Sequence, residues 1–383
     1  MRRWIVPAAI FVIMALTHTL YLVSLRSSAV ISESDGAVTE FVKGRVVRLL
    51  DTKVFEQPSS VNHMLEVELL GGRFKGKRIV LRNVIRPLGL PLMNRYISAG
   101  DVILCRVSGE GDKLSAMGLI QEYSRDGFII YMTGGLLMLI VLVGRVQGVR
   151  NAFALIFSGL AIYFIMLPML RRGIDPILSV CVTSAAIAIV ALLMIIGPNR
   201  KSFSAILGTI GGVLISVLLV IYAQKKLYLT GMATANVASI LEALAKTQYD
   251  FGRLLLGGMI IGVLGVAMDA SIDVASAMDE IKRADPDITP WRLIRAGMNV
   301  GTDVLGTMSN TLVFAYFGLR LLLVMASLGT KIFAQTWMQL LSVEVISAEV
   351  VRILAGSIGM VMTIPLTALI AGFWYCRKPK PKF

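Results

Sequence analysis

The sequence is poor in the side chains that soluble enzymes use for chemistry. It has three cysteines, Cys105, Cys181 and Cys376, and two histidines, His18 and His63, among 383 residues. The cysteines are far apart and lack metal-ligand spacing, so they indicate neither a disulfide framework nor a metal site. No glycine-rich nucleotide-binding loop and no nucleophile elbow is present. These absences predict a protein that is not an enzyme and uses no cofactor. Any pumping would then need an ion gradient or a partner ATPase.

Charged residues are also scarce, at 16% of the chain, whereas apolar residues make up 56% and the mean hydropathy is +0.75. This composition excludes an ordinary soluble protein and indicates membrane helices. The net charge of +14 does not indicate nucleic acid, because no basic stripe is interleaved with aromatic residues. Most basic residues fall at one set of predicted helix ends, which the positive-inside rule places in the cytoplasm. Arg171–Arg172 and Lys225–Lys226 are exceptions on the other side.

The chain divides into three predicted parts. Residues 1–25 form an uncleaved membrane anchor that runs outward. Residues 26–126 have the composition of a water-soluble domain outside the membrane, with turn signals at Gly71–Gly72 and Gly111–Asp112. We expect a small β barrel, of OB type, or a sandwich. The strand-like runs are 40–50, 64–70, 77–83, 101–108 and 113–120.

Residues 127–383 are predicted to form a polytopic α-helical membrane domain, giving about eight spans with the anchor. Gly208, Gly211 and Gly212 are available for close helix packing. Segment 233–246 is predicted as an amphipathic helix on the outer leaflet, and segment 320–341 as an interfacial or re-entrant segment. The predicted spans after the anchor are 127–144, 152–170, 177–197, 204–222, 254–273, 301–318 and 351–375.

Two of these spans carry carboxylates, which are costly in hydrocarbon and usually face a bundle interior or a water-filled path. In span 254–273, small and acidic residues at helical spacing form one stripe, made of Gly258, Gly262, Gly265, Asp269 and Asp273. Span 301–318 and the residues before it carry a similar stripe, made of Asn299, Asp303, Gly306, Thr307 and Asn310. We expect the glycines to pack helices closely. Two antiparallel helices would then bring together Asp269, Asp273, Asp303 and Asn299, with Asn310 deeper.

Depth distinguishes the carboxylates. Asp269 lies four residues deeper than Asp273, about 6 Å along a helix, so we expect Asp269 to be the most desolvated carboxylate of the chain. The alternative for Asp273 and Asp303 is a place in headgroup water without a functional role. The connector predicts that the first helix ends near Asp285–Pro286 and that a short helix starts at Thr289–Pro290. This short helix would lie in the membrane interface or, alternatively, in a solvated loop.

Three runs of sequence resemble the YibE/F-like family of bacterial membrane proteins. They are 197–201 with 205–209 (GPNRK and AILGT), 262–269 (GVLGVAMD) and 303–312 (DVLGTMSNTL). The resemblance covers most of the membrane half and implies a multi-pass protein of the bacterial cytoplasmic membrane. Our span count then puts both termini in the cytoplasm. A more local resemblance, over 254–318, is to the resistance-nodulation-division superfamily, and it implies intramembrane carboxylates that relay protons.

Two functions stay open. One is an ion-gradient-coupled transporter or exporter of an unknown solute, in which Asp269 binds and releases a proton and Asp303 modulates it. Asn299 and Asn310 would line the route. A carboxylate in a low-dielectric site can exchange protons near neutral pH. The other is a scaffold or sensor whose outer domain binds a protein partner. Both need the lipid bilayer, neither needs nucleic acid, and both are compatible with a homo-oligomer.

Overall fold

The computed structural model describes residues 2–26, 28–34, 37–55, 60–85, 97–110, 113–114, 118–231, 250–329 and 337–376. The chain forms two compact units, Met1–Val149 and Arg150–Phe383. The predicted boundary after residue 126 therefore falls inside the first unit. The predicted amphipathic helix at 233–246 and the turn at Gly111–Asp112 lie outside the described residues.

The β strands belong to the first unit. They are β1 (Ser28–Ser34), β2 (Ala37–Phe55), β3 (Ser60–Leu69), β4 (Arg78–Ile85), β5 (Val102–Glu110), β6 (Lys113–Leu114) and β7 (Gly118–Tyr123). The sheet order is β1-β2-β3-β4-β7-β5-β6, and β2 also pairs with β5. That extra pairing joins β2, β3, β4, β7 and β5 into a ring, in which β4 and β7 run parallel and the other neighbours antiparallel. The sequence did not predict β1, and the predicted run 113–120 contains parts of two strands.

The alternation of apolar residues explains how the sheet encloses a core. Successive side chains of a strand point to opposite faces, and the buried set occupies every second position of β3 and β5: Leu65, Val67, Leu69, Ile103, Cys105 and Val107. The turn after β3 contains Gly72 at φ +71°, a backbone conformation that favours glycine. The predicted glycine turn at Gly71–Gly72 is therefore confirmed.

Cys105 provides a test of this core. Its side chain is fully buried, and burial raises the pKa of the thiol to about 12. Because the thiolate is the reactive form, we expect N-ethylmaleimide at pH 8 to leave Cys105 unmodified in the folded protein and to label it fully after denaturation. Peptide mass spectrometry measures both states. Rapid labelling of the folded protein would contradict the closed core.

Two helices complete the first unit. Helix α1 is Arg2–Arg26, and helix α2, Asp126–Ala161, begins in this unit. The rings of Tyr21 and Tyr131 lie 5.1 Å apart, so the two helices are neighbours. Asp126 accepts a hydrogen bond from Lys43 Nζ of β2. This ion pair attaches the first turn of α2 to the β sheet.

The chain reverses within α2. Arg145 has φ of 50° and ψ of −126°, so it interrupts the helix. Gly148 lies against the backbone carbonyl of Ile140. Eight residues of straight helix would separate those two positions by about 12 Å, so the chain must fold back between them. The turn falls within the loop 144–151 predicted between two spans.

Helices make up the second unit. After the remainder of α2 come a π-helical turn (Ile162–Met166), α3 (Leu167–Arg171), α4 (Pro176–Ile196), α5 (Arg200–Leu227), α6 (Phe251–Ala284), α7 (Pro290–Gly329), α8 (Trp337–Ser342) and α9 (Glu344–Tyr375). Helix α6 ends before Asp285–Pro286, as predicted. Helix α7 begins at Pro290, but the prediction of a separate short helix there is wrong. One helix runs on through Gly297 and Gly301, which are packed against Met278 and Ile364.

Helices α5 and α9 make the closest contact of this unit that we describe. Gly208 lies against Thr367, Gly211 against Leu366 and Gly212 against Thr363. Ser216 Oγ donates 3.1 Å hydrogen bonds to carbonyl oxygens of both helices. Small residues let helix backbones approach in this way, so the predicted packing role of Gly208, Gly211 and Gly212 is confirmed.

Six helical segments of the described chain are long and apolar enough to cross a membrane: Pro7–Ser24, Asp126–Arg171, Pro176–Ile196, Arg200–Leu227, Phe251–Ala284 and Glu344–Tyr375. The segment Asp126–Arg171 has 46 residues and contains two predicted spans, one on each side of the Arg145 turn. The predicted span 301–318 lies in α7, which is not among the six. The chain is thus a helical membrane protein with a small β sheet.

Candidate functional site beside Asp269

Helix α6 buries apolar faces and leaves one stripe open. Ala267, Ala270 and Val274 are fully buried, whereas Asp269 and Asp273 are exposed on the surface of the single chain. Four residues separate the two aspartates, so they lie on the same side of the helix, about 6 Å apart along its axis. The periodicity of the sequence therefore placed both carboxylates on one face, as predicted.

Aromatic pairs mark the basic end of this unit. Ring centres lie 6.2 Å apart in one pair and 5.8 Å in the other: Phe203 with Trp374, and Trp291 with Phe373. Such rings favour the membrane–water interface. At the same level Tyr375 donates a 3.3 Å hydrogen bond to the carbonyl of Ala275. Asp269 precedes Ala275 by six residues, so it lies about 9 Å further from this end, inside the candidate membrane span Phe251–Ala284.

A groove of about 400 Å³ opens beside Asp269, between α6 and α7. Its lining combines an apolar majority with a few polar groups: Val266, Asp269, Met308, Thr311, Leu312, Ala315 and Tyr316. Among these residues Asp269 carries the negative charge. The volume and the mixture of apolar walls with few polar groups are typical of a small-molecule site.

Tyr316 connects this groove to a buried ion pair of α9. The Tyr316 hydroxyl lies against Gly262, where an added Cβ would overlap it. Arg352 Cζ of α9 lies 5.9 Å from the centre of the Tyr316 ring. Arg352 Nη1 is 3.5 Å from Glu349 Oε1, and Glu349 is 7% exposed. The guanidinium charge is therefore compensated next to the groove.

The remaining predicted residues lie elsewhere. Asn299, Asp303 and Asn310 are exposed, and none of them lines the groove. Leu312, which is 5% exposed, marks the packed side of α7. Asp303 precedes it by nine residues, which at about 100° per residue puts it on the opposite side of the helix. The expected gathering of Asp303 and Asn299 around Asp269 is therefore not found within one chain.

The predicted packing glycines also differ from one another. Gly262 contacts Tyr316, but an added Cβ at Gly258, Gly265 or Gly306 would meet no described atom within 4 Å. Any close packing at these three positions therefore needs a surface outside the described chain.

Asp269 was expected to be the most desolvated carboxylate of the chain. If desolvation is measured as burial by protein atoms, this expectation is wrong. Glu40 in β2 is 1% exposed and Glu349 in α9 is 7% exposed, whereas Asp269 is exposed on the surface of the single chain. Asp269 lies instead on an open face of the candidate membrane span Phe251–Ala284. The reason is that its stripe of α6 has no covering helix in the described chain.

Sequence reasoning missed Thr311, Tyr316, Glu349 and Arg352. A signal for the last two was present, because opposite charges at i and i+3 on a membrane helix mark a functional candidate. The predicted start of the last span at residue 351 separated Glu349 from Arg352. Tyr316 and Thr311 carried no comparable signal, since a tyrosine or threonine in an apolar helix is common.

Comparison with known proteins supports the resemblance seen in the sequence. No curated protein and no solved structure matches the chain. The model of one family, described as YibE/F-like protein, matches residues 132–377. That range is more than half of the chain and includes Asp269, the groove and the Glu349–Arg352 pair. The protein therefore belongs to the YibE/F-like family.

Proposed function

We propose that this protein is an ion-gradient-coupled transporter in which Asp269 carries protons. The feature that supports it most is the position of Asp269, which lines an open groove and belongs to the candidate membrane span Phe251–Ala284. An ionisable side chain in that position is costly unless it serves a function. Asp273 lies one helical turn nearer the basic end. A proton that enters from that end would bind to Asp273 first and then pass to Asp269.

Asn299, Asp303 and Asn310 have a different role in the proposal. They form an exposed polar stripe with Gly306 on α7, and polar side chains facing lipid are unfavourable. We propose that a second copy of the chain covers this stripe in a homo-oligomer, where Asp303 can modulate proton transfer. Gly306, where an added Cβ would meet no described atom within 4 Å, would let the copies approach closely.

The proposed arrangement has about eight spans in the bacterial cell membrane, with both termini in the cytoplasm. The reversal at Arg145 supports two spans within Asp126–Arg171, and α7 supplies the remaining one. The β strands form an OB-type barrel outside the membrane. The ring β2-β3-β4-β7-β5 and its parallel β4–β7 pair support that assignment.

This topology makes a labelling prediction. A membrane-impermeant maleimide added to intact cells should not react with Lys380→Cys, because the basic tail is expected in the cytoplasm. Ser98→Cys, at an exposed position of the β unit, should react readily and serves as the matched control. The unmodified chain gives the background of the native cysteines. Ready labelling of Lys380→Cys from outside would overturn the proposed orientation.

Proton movement tests the function directly. Purified protein in liposomes with an internal pH-sensitive dye should dissipate an imposed pH gradient faster than protein-free liposomes do. Equal rates would overturn the transporter proposal. They would favour the second candidate, a non-enzymatic scaffold or sensor whose β unit binds a protein partner. The ion pair Lys43–Asp126 supports that candidate, because it links the β sheet to a membrane helix.

A further inference from the structure

We infer that the groove beside Asp269 binds a lipophilic ammonium cation. This inference rests on the proposed transport function, and it names the substrate class. The groove opens on the surface of the helical unit beside the candidate membrane span Phe251–Ala284, where a ligand dissolved in the bilayer would reach it. Its volume of about 400 Å³ lies within the range of small-molecule sites.

The apolar lining of the groove favours a ligand that is largely apolar. Val266, Met308, Leu312 and Ala315 supply the apolar part of the lining. Burying an apolar ligand against them removes its surface from water. Met308 adds a flexible, polarisable side chain, which adapts to ligands of different shape.

The polar atoms of the groove select a cation. Asp269 contributes the carboxylate, and a carboxylate in a low-dielectric site attracts a cation and repels an anion. Arg352, whose guanidinium carbon lies 5.9 Å from the centre of the Tyr316 ring, is already paired with Glu349 at 3.5 Å.

Thr311 and Tyr316 favour the same kind of ligand. Thr311 Oγ1 donates its hydrogen to the carbonyl of Thr307 at 3.0 Å, so towards the groove it can act only as an acceptor. An acceptor beside a carboxylate suits the N–H groups of an ammonium ion. The aromatic ring of Tyr316 adds a surface that attracts cations.

The test measures binding of rhodamine 6G, a fluorescent lipophilic ammonium cation, to the full chain in nanodiscs. Fluorescence polarisation above that of empty nanodiscs is expected. Asp269→Asn should weaken the affinity about tenfold or more, because it removes one partner of a charge pair. Ala315→Trp should weaken it similarly by filling the groove, while Asp269 stays in place. Asp279→Asn, whose carboxylate pairs with Arg283 at 2.7 Å, should leave the affinity within about twofold of the unmodified protein.

Three results would overturn the inference. They are polarisation equal to that of empty nanodiscs, equal binding of the anionic dye fluorescein, and an affinity unchanged by Asp269→Asn. The liposome assay separates this inference from the transport proposal. Binding without proton flux would support the site and reject transport, whereas proton flux without binding would reject the site alone.

Discussion

Replacement of Asp269 by asparagine is expected to reduce proton flux into liposomes to the level of protein-free vesicles. Asparagine keeps the shape and a hydrogen-bonding group but cannot bind and release a proton in this pH range. Because Asp269 is exposed towards the groove, the change should not disturb packing. Membrane insertion and protein amount should therefore be unchanged. In cells, the variant should fail to rescue the phenotype of a deletion strain.

Asp279→Asn is the matched control for this experiment. Asp279 lies on the same helix, near its basic end. It forms an ion pair with Arg283, which is four residues further along the helix. An ion pair at a surface contributes little stability, so this variant should transport at the normal rate. Full flux with Asp269→Asn would reject the proton-relay role, since an amide can replace a carboxylate in a structural hydrogen bond. The scaffold function would then be favoured.

Replacement of Gly212 by alanine is expected to destabilise the protein more than replacement of Gly265 by alanine does. The new Cβ would overlap the hydroxyl of Thr363 and lie 2.8 Å from the backbone oxygen of Gly359. The backbone of α9 cannot move aside without separating from α5. Overpacking of this kind costs about 1–3 kcal/mol. The midpoint of thermal unfolding in detergent should fall by about 2–12 °C.

Gly265→Ala is the control, because an added Cβ there meets no described atom within 4 Å. Alanine has the higher helix propensity, by about 1 kcal/mol, so the midpoint should stay the same or rise slightly. A fall at Gly265→Ala as large as at Gly212→Ala would show that position 265 is covered in solution. That result would support a second copy packed on the open stripe of α6. Equal unfolding midpoints for the unmodified protein, Gly212→Ala and Gly265→Ala would contradict the close α5–α9 contact.

The sequence predicted those features that depend on local periodicity. Apolar runs of about 20 residues located the helices, and the spacing of Asp269 and Asp273 placed both on one face of α6. The strand-like runs and the turn at Gly71–Gly72 predicted a small β unit. Asp285–Pro286 predicted the end of α6. Each of these signals is contained in one segment of chain, so no knowledge of the neighbouring segments was needed.

The sequence could not predict features that depend on how two segments of the chain pack against each other. The glycines of α5 and α6 both predicted close helix packing. However, Gly212 of α5 is packed against α9, whereas an added Cβ at Gly265 of α6 would meet no described atom within 4 Å. Helical spacing shows which residues share a face, but it does not show which face meets another helix. The same reason explains Asp303, which has the spacing of a relay residue and lies on the side of α7 away from the bundle.

By itself, the amino-acid sequence determined that this is a helical membrane protein with a β-rich part near its N-terminus and carboxylates on one stripe of α6. Hydropathy and periodicity are properties of single segments, and they suffice for those conclusions. The tertiary structure alone decided that Asp269 faces a groove with Thr311 and Tyr316, and that Arg352 is neutralised by Glu349 behind it. These groups come from three helices far apart in sequence. Their meeting depends on how α6, α7 and α9 pack, which no local pattern specifies.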